Sequence, residues 1–228
     1  MTSFAALQRL EAALRDIIDD ASLQLVELPN TNGLKLYLID EHYPLQAIDA
    51  DLQQKVMQNP LYWMFCWASG HAMARWIIDN PKLVKGKTVL DVGSGSGVVA
   101  IACALAGATK VFASDIDPLS QLAIALNASV NGCESTIEVV GDLASVIDCH
   151  TDADLDLCTI ADVLYDADNK PLIDTLIPAA KSILLADSRL KDFQHPALFE
   201  LMQQPGHTFP DLGGFDEFST VRFFAKQK

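Results

Sequence analysis

The stretch VLDVGSGSGVVAIACALAGATKVFASDIDP, residues 89–118, decides the fold. An apolar run carries Asp91. Gly93, Gly95 and Gly97 then alternate with serines, and a small-residue apolar run leads into a second strand-like segment closing on Asp115 and Asp117. Glycine at every second position suits neither helix nor sheet, because it is costly to order and packs nothing. Its use is at a turn, where backbone passes close to a neighbour with no Cβ in the way. Strand, glycine turn, helix and strand form the repeating unit of a parallel α/β sheet, and in such sheets ligands sit at the carboxyl ends of the strands.

The alternation continues on the C-terminal side. KTVLDV (87–92), KVFASD (110–115), TIEVV (136–140), LDLCTIAD (155–162) and KSILLAD (181–187) read as strands. Helices are expected over 98–106, over 118–130 with Pro118 in its first turn, over 169–180 and over 195–203. HTFPDL (207–212) and FSTVRFFA (218–225) read as two last strands, antiparallel if joined by a short loop. The fold class is therefore α/β: a Rossmann-like, seven-stranded, mainly parallel sheet with helices on both faces and an antiparallel C-terminal strand. Upstream, residues 4–20 suit an amphipathic helix, 23–28 and 34–39 a hairpin around PNTNG, 49–58 a short helix, and Gly70 or His71 to Asp79 a helix stopped by Asn80-Pro81. This divides the chain into an N-terminal helix and hairpin extension, 1–58, and a core domain, 59–228.

The chain has 228 residues, 16 basic and 30 acidic, for a formal net charge of −14. Such a surface repels phosphate backbones, so a nucleic-acid partner is not expected, and the acidity suits a basic protein or a small molecule. No apolar run is long enough to span a bilayer, and the N-terminus lacks the pattern of a secretory signal. The five cysteines (66, 103, 133, 149, 158) match no zinc or redox spacing. Cys103 and Cys158 sit in apolar runs as small core residues, consistent with a reducing cytoplasm. The histidines form no HxxxH pair, and the acidic run 148–156 lacks the glycine and terminal glutamate of a calcium loop, so no metal site is expected.

The spacing of the glycines separates two ligand classes. A dinucleotide turn requires GxGxxG with pyrophosphate on the helix N-terminus, but position 98 is Val. What stands is Asp91-x-Gly93-x-Gly95-x-Gly97. An acid two residues before the first glycine is unhelpful to a pyrophosphate and useful to a cationic α-amino group. Asp115, closing the second strand, can accept both hydroxyls of a ribose, and Ile116 beside it can pack on a base. A ligand with a ribose and an amino-acid part but no pyrophosphate fits: S-adenosylmethionine (SAM).

With these residues, and with NPLYWMFCWASGHAMARWIIDNPKLVKGK (59–87) before them and ADVLYD (161–166) after, the chain resembles the class I, seven-strand SAM-dependent methyltransferases. Within them it is most similar to the electron-transfer-flavoprotein β-subunit lysine methyltransferase family and its bacterial relatives. The resemblance covers about residues 35 to 190. It implies that Asp91, Gly93, Gly95 and Gly97 line the methionine part, that Asp115 holds the ribose with Ile116 against the adenine, and that Asp142 and Leu143 lie by the adenine amino group. It places Trp67 beside the cofactor, and Asp162 and Tyr165 where the acceptor nitrogen arrives. Trp63, Tyr62 and Phe65 read as core. The family tends to carry a GDPGR-like segment after the fifth strand; ADSRLKDF (186–193) retains Asp187 and Arg189 and lacks the Pro-Gly.

The implied activity is N-methylation of lysine side chains in a protein substrate. A small-molecule amine or related heteroatom is the alternative acceptor, and a non-catalytic binding module with the same fold is the alternative from another class. A nucleic-acid methyltransferase is disfavoured by the net charge and by ADVLY standing where NPPY or DPPY is common.

Overall fold

The computed structural model describes residues 2–43, 60–149, 155–164, 166–190, 192–211 and 219–226. The expected helix over 49–58 and Tyr165 lie outside these residues. The chain opens with α1 (Ser3–Arg15) and the hairpin strands β1 (Leu23–Glu27) and β2 (Lys35–Ile39). A 3-10 turn at Tyr62–Met64 then leads to α2 (Ala68–Asp79). The alternating core follows: β3 (Thr88–Val92), α3 (Val98–Leu105), β4 (Lys110–Ser114), α4 (Pro118–Val130), β5 (Ile137–Val140), α5 (Leu143–Cys149), β6 (Leu155–Ala161), α6 (Leu172–Ala179) and β7 (Ala180–Asp187), then β8 (Leu198–Pro205) and β9 (Thr220–Lys226).

Among the described residues the main sheet runs β5-β4-β3-β6-β7-β9-β8. The first five strands are parallel, and β9 inserts antiparallel between β7 and β8. The chain steps outward from β3 through β4 to β5, then returns to place β6 on the other side of β3. Strand order thus reverses beside β3 and opens a crevice at its carboxyl end. Successive strand residues serve opposite faces: Val89, Val111, Leu184 and Ala186 join the cluster under α2 and α3, while Leu90, Phe112, Ile183 and Leu185 join the cluster under α5 and α6.

Two expectations are corrected. Residues 195–203 are not a helix; β8 occupies most of that segment. Leu, Glu, Met and Gln favour helix locally, but pairing with β9 overrides that preference, and a bulge between Glu200 and Met202 breaks the alternation that marks a strand. Among its described residues, 207–211, the expected strand 207–212 forms only an isolated bridge, Phe209 to Cys66, and the antiparallel partner of β9 is β8 instead. The helix α5 was not anticipated.

The N-terminal elements share the core. In α1, Leu10 and Leu14, with Ile18 beyond, pack on Ala123 and Leu126 of α4. The hairpin contributes Leu34, Leu36 and Leu38 to the cluster holding Met73 and Ile77 of α2. The boundary at 58/59 falls outside the described residues, and the apolar clusters are continuous across it. Leu14 is 0% exposed. Leu14→Ala should therefore cost about 2–5 kcal/mol and shift one cooperative urea transition, seen alike by circular dichroism and tryptophan fluorescence. A separate early transition would mean that the first elements unfold alone.

Candidate active site

The loop after β3 is held from three sides. Gly93 N–H and Ser94 N–H donate to the Ser114 carbonyl at 2.8 and 3.1 Å, and Gly95 N–H donates to Asp115 Oδ2 at 2.8 Å. Gly97 N–H closes back on the Ser94 carbonyl at 2.7 Å and begins α3. Two glycines explain themselves. At Gly93 (φ 68°) a Cβ would lie 2.5 Å from Val163 Cγ2, so the loop abuts the segment leaving β6. At Gly95 (φ 53°) a Cβ would meet nothing within 4 Å: the loop faces open space there.

Asp91 lies beneath this loop, 2% exposed. Its Oδ2 accepts from Ser94 Oγ at 2.7 Å and its Oδ1 from Thr159 Oγ1 at 2.8 Å. Burial pushes its carboxyl up to about 6, opposed by those hydrogen bonds. The acid therefore braces the loop from below, with both oxygens engaged inside the protein. Asp115 follows β4. Besides Gly95 N–H it accepts Asp117 N–H at Oδ1, 3.0 Å, and burial raises its carboxyl. Asp117 caps α4 by accepting from Leu119 N–H and Ser120 N–H. Ile116, between them, is 89% exposed, an apolar side chain with no apolar cover. Beyond β5, exposed Asp142 accepts Ala144 N–H at 3.0 Å and starts α5, with Leu143 half-buried beside it.

Asp162 follows β6 with φ 52°, a left-handed conformation that Asp tolerates better than most residues. Its Oδ2 accepts Ser69 N–H at 3.0 Å. Its Oδ1 accepts Ser69 Oγ at 2.6 Å and Ser188 Oγ and N–H at 3.1 and 3.3 Å. Ser69 comes from the first turn of α2 and Ser188 from the turn after β7, so three elements converge on one carboxylate. Trp67, at the start of α2, donates Nε1–H to the Tyr62 carbonyl at 3.0 Å, and the Arg189 guanidinium lies 5.4 Å from its ring. Trp63 and Phe65 are buried, as core, whereas Tyr62 is exposed, a correction: its ring and the Trp67 ring meet in a T-shaped contact at the surface.

The structure thus brings the glycine loop, Asp115 and Ile116 together on one side of the crevice, and Asp162 with its serines on the other. Tyr165 is outside the described residues. Sequence reading missed Ser69, Ser188 and the environment of Asp187. Asp187 ends β7, is 0% exposed, and accepts Arg189 N–H and Leu190 N–H at Oδ1, 2.8 and 3.1 Å. Its buried Oδ2 has no hydrogen-bond partner among the described residues. Burial and then the Asp162 charge push its carboxyl up to about 6. A rule was available: β3, β4, β5, β6 and β7 each deliver an aspartate to the same edge. A cleft of about 320 Å³ at the β8–β9 edge, among Phe193, His195, Glu200 and Arg222, contains none of these residues. No cluster of metal-ligating side chains occurs among the described residues.

Over residues 76–188 the chain matches the family described as ribosomal protein L11 methyltransferase (PrmA). It is 39% identical over 107 residues to the electron transfer flavoprotein beta subunit lysine methyltransferase of Mus musculus, a match covering 47% of this chain and 40% of the mouse protein. The Xenopus laevis protein of that name is 32% identical over 156 residues, 66% of this chain and 62% of the relative. The chain therefore spans less than two thirds of these relatives' length. A solved ribosomal protein L11 methylase from Lactobacillus delbrueckii subsp. bulgaricus superposes with a TM-score of 0.50 at 21% identity, over 70% of this chain and 78% of that one.

The raised Asp187 carboxyl has a thermodynamic signature. Its folded value lies above its unfolded one, so its contribution favours folding fully below about pH 4 and is lost as pH rises through about 6. Asp187→Asn keeps the Oδ1 acceptor and removes the charge. Thermal unfolding from pH 4 to 8 should show the variant gaining on the parent as pH rises, by on the order of 2 kcal/mol at pH 8. A difference independent of pH would mean that Asp187 titrates as it does in the unfolded chain.

Proposed function

We propose that this chain, which has the class I methyltransferase fold and shares its cofactor half with lysine and ribosomal-protein methyltransferases, is a SAM-dependent methyltransferase acting on lysine side chains of a protein. One observation carries the reading: the approach of Gly93 to Val163 sets the glycine loop against the end of β6, where Asp162 stands. Cofactor and acceptor sites are then neighbours, as an in-line transfer requires.

The residues fit SAM. The loop is open at Gly95, an exposed apolar side chain stands beside an acid at the end of β4, and the glycine spacing is not that of a pyrophosphate turn. Gly93, Gly95 and Gly97, with Asp91 beneath them, line the methionine part. Asp115 takes the ribose hydroxyls, Ile116 packs on the adenine, Asp142 and Leu143 flank its amino group, and Trp67 lies alongside. Bound there, SAM supplies a methyl group on a positively charged sulfur.

Asp162 receives and orients the acceptor. A lysine amine has an unperturbed pKa of about 10.4, so it arrives as an ammonium and must lose a proton before it attacks. Asp162 draws that cation in, and Ser69 and Ser188 fix where its oxygens point. Tyr165 is assigned to the same acceptor site on the family resemblance. Apolar surroundings favour the neutral amine, against the carboxylate that binds the charged one. The −14 net charge suits a basic protein surface as substrate. Four buried free thiols suit the cytoplasm. No helix among the described residues is long and apolar enough to cross a membrane.

Incubation with methyl-labelled SAM and host lysate tests this. A labelled protein band is expected, yielding methyllysine on hydrolysis. Asp162→Ala should bind SAM within a few-fold of the parent and lose transfer by at least about 100-fold. Label confined to small molecules would move the acceptor to a free amine, and retained activity would remove Asp162 from the acceptor site. Gly95→Arg should abolish SAM binding in calorimetry; unchanged affinity would refute the cofactor site.

A further inference from the structure

The hairpin and the glycine loop meet in one side chain. Asn127 of α4 is 0% exposed. Its Oδ1 accepts Tyr37 N–H of β2 at 2.7 Å, and its Nδ2 donates to the Ser96 carbonyl, inside the glycine loop, at 2.9 Å. The two partners fix the orientation of the amide, since an N–H cannot accept and a carbonyl cannot donate. One helical turn later, Asn131 accepts Lys35 N–H at 2.9 Å and donates to the Lys35 carbonyl at 2.6 Å.

The spacing has a geometric cause. In the hairpin, Leu28 N–H donates to the Leu34 carbonyl, so even-numbered residues of β2 bond to β1 and the amides of Lys35 and Tyr37 point away from it. Four helical residues rise about 6 Å and two strand residues about 6.8 Å. Asparagines at i and i+4 therefore meet successive outward amides, and the helix takes the place of a third strand. Asn131 docks the hairpin without touching the loop. Asn127 docks it and also holds Ser96, whose carbonyl belongs to the peptide joining the loop to α3.

We infer that Asn127 is a positioning residue for the cofactor loop, and that the N-terminal hairpin, bonded to the same amide, is part of the frame of the cofactor site. This rests on reading the loop as the SAM site. No residue without both a donor and an acceptor could replace it, because Tyr37 N–H and the Ser96 carbonyl would lose their partner together.

The test compares Asn127→Ala with Asn131→Ala in the full chain, using S-adenosylhomocysteine in calorimetry. Asn127→Ala should weaken binding by about ten-fold and raise the KM for SAM while kcat at saturation stays near the parent's. Asn131→Ala should bind within about two-fold. Equal affinities for Asn127→Ala and parent overturn the inference, whereas a parent that fails to bind overturns the cofactor reading itself. Should Asn127→Ala fail to fold, hydrogen exchange on the parent decides. Saturating S-adenosylhomocysteine should slow exchange at the Tyr37 amide more than at Val26 in β1, and equal slowing overturns the coupling.

Discussion

Five parallel strands deliver five aspartates to one edge of the sheet: Asp91, Asp115, Asp142, Asp162 and Asp187. Carboxylates gathered at a partly buried edge lose hydration and resist ionisation: burial raises the carboxyls of Asp91, Asp115 and Asp187, and the neighbouring charges of Asp115, Asp117 and Asp162 respectively add to it. Much of the surrounding structure answers this constraint. Hydroxyls of Ser94, Thr159, Ser69 and Ser188 and backbone amides of Gly95, Asp117, Ala144, Arg189 and Leu190 are aimed at the five acids. The glycine loop serves this purpose too, because only a loop free of a side chain at Gly93 can pass so close to Val163 while bringing amide 95 onto Asp115.

Much of this was legible in the sequence. Apolar alternation along 87–92 and 110–115, the helix over 118–130 with Pro118 after the capping Asp117, and the glycines between them locate the sheet, its carboxyl edge and the loop within a residue or two. These are local signals, each read within one element. What escaped was non-local. Whether 198–205 extends or coils depends on β9, more than a dozen residues downstream, and the bulge at Glu200/Met202 hides the alternation. Ser69 and Ser188 are ordinary serines in sequence and acquire meaning only where α2 and β7 converge on Asp162. Asp187 looks like any strand-end acid until its burial is known.

The N-terminal elements do more than precede the sheet. Leu34, Leu36 and Leu38 sit with Met73 and Ile77, while α1 covers the outer face of α4 with Leu10 and Leu14. One helix, α4, therefore bears on both: Ile124 and Asn127 meet the glycine loop, and Ala123, Leu126 and again Asn127 meet the extension. Gly97, the cap of α3, comes close to this helix: a Cβ there would stand 3.3 Å from Ile124 Cα, so α3 starts hard against α4. Displacement of α4 would be felt at the turn between β3 and α3.

The asparagine pair on α4 reads backbone and ignores side chains: every bond it makes to the hairpin ends on an amide or carbonyl of Lys35 or Tyr37. Substitutions at those two positions leave the bonds intact, provided the strand persists and neither becomes proline. Exposed Lys35 can therefore vary freely over evolutionary time, whereas Tyr37, half-buried against the cluster that joins α1 to α4, is constrained by its packing and not by its bond to Asn127.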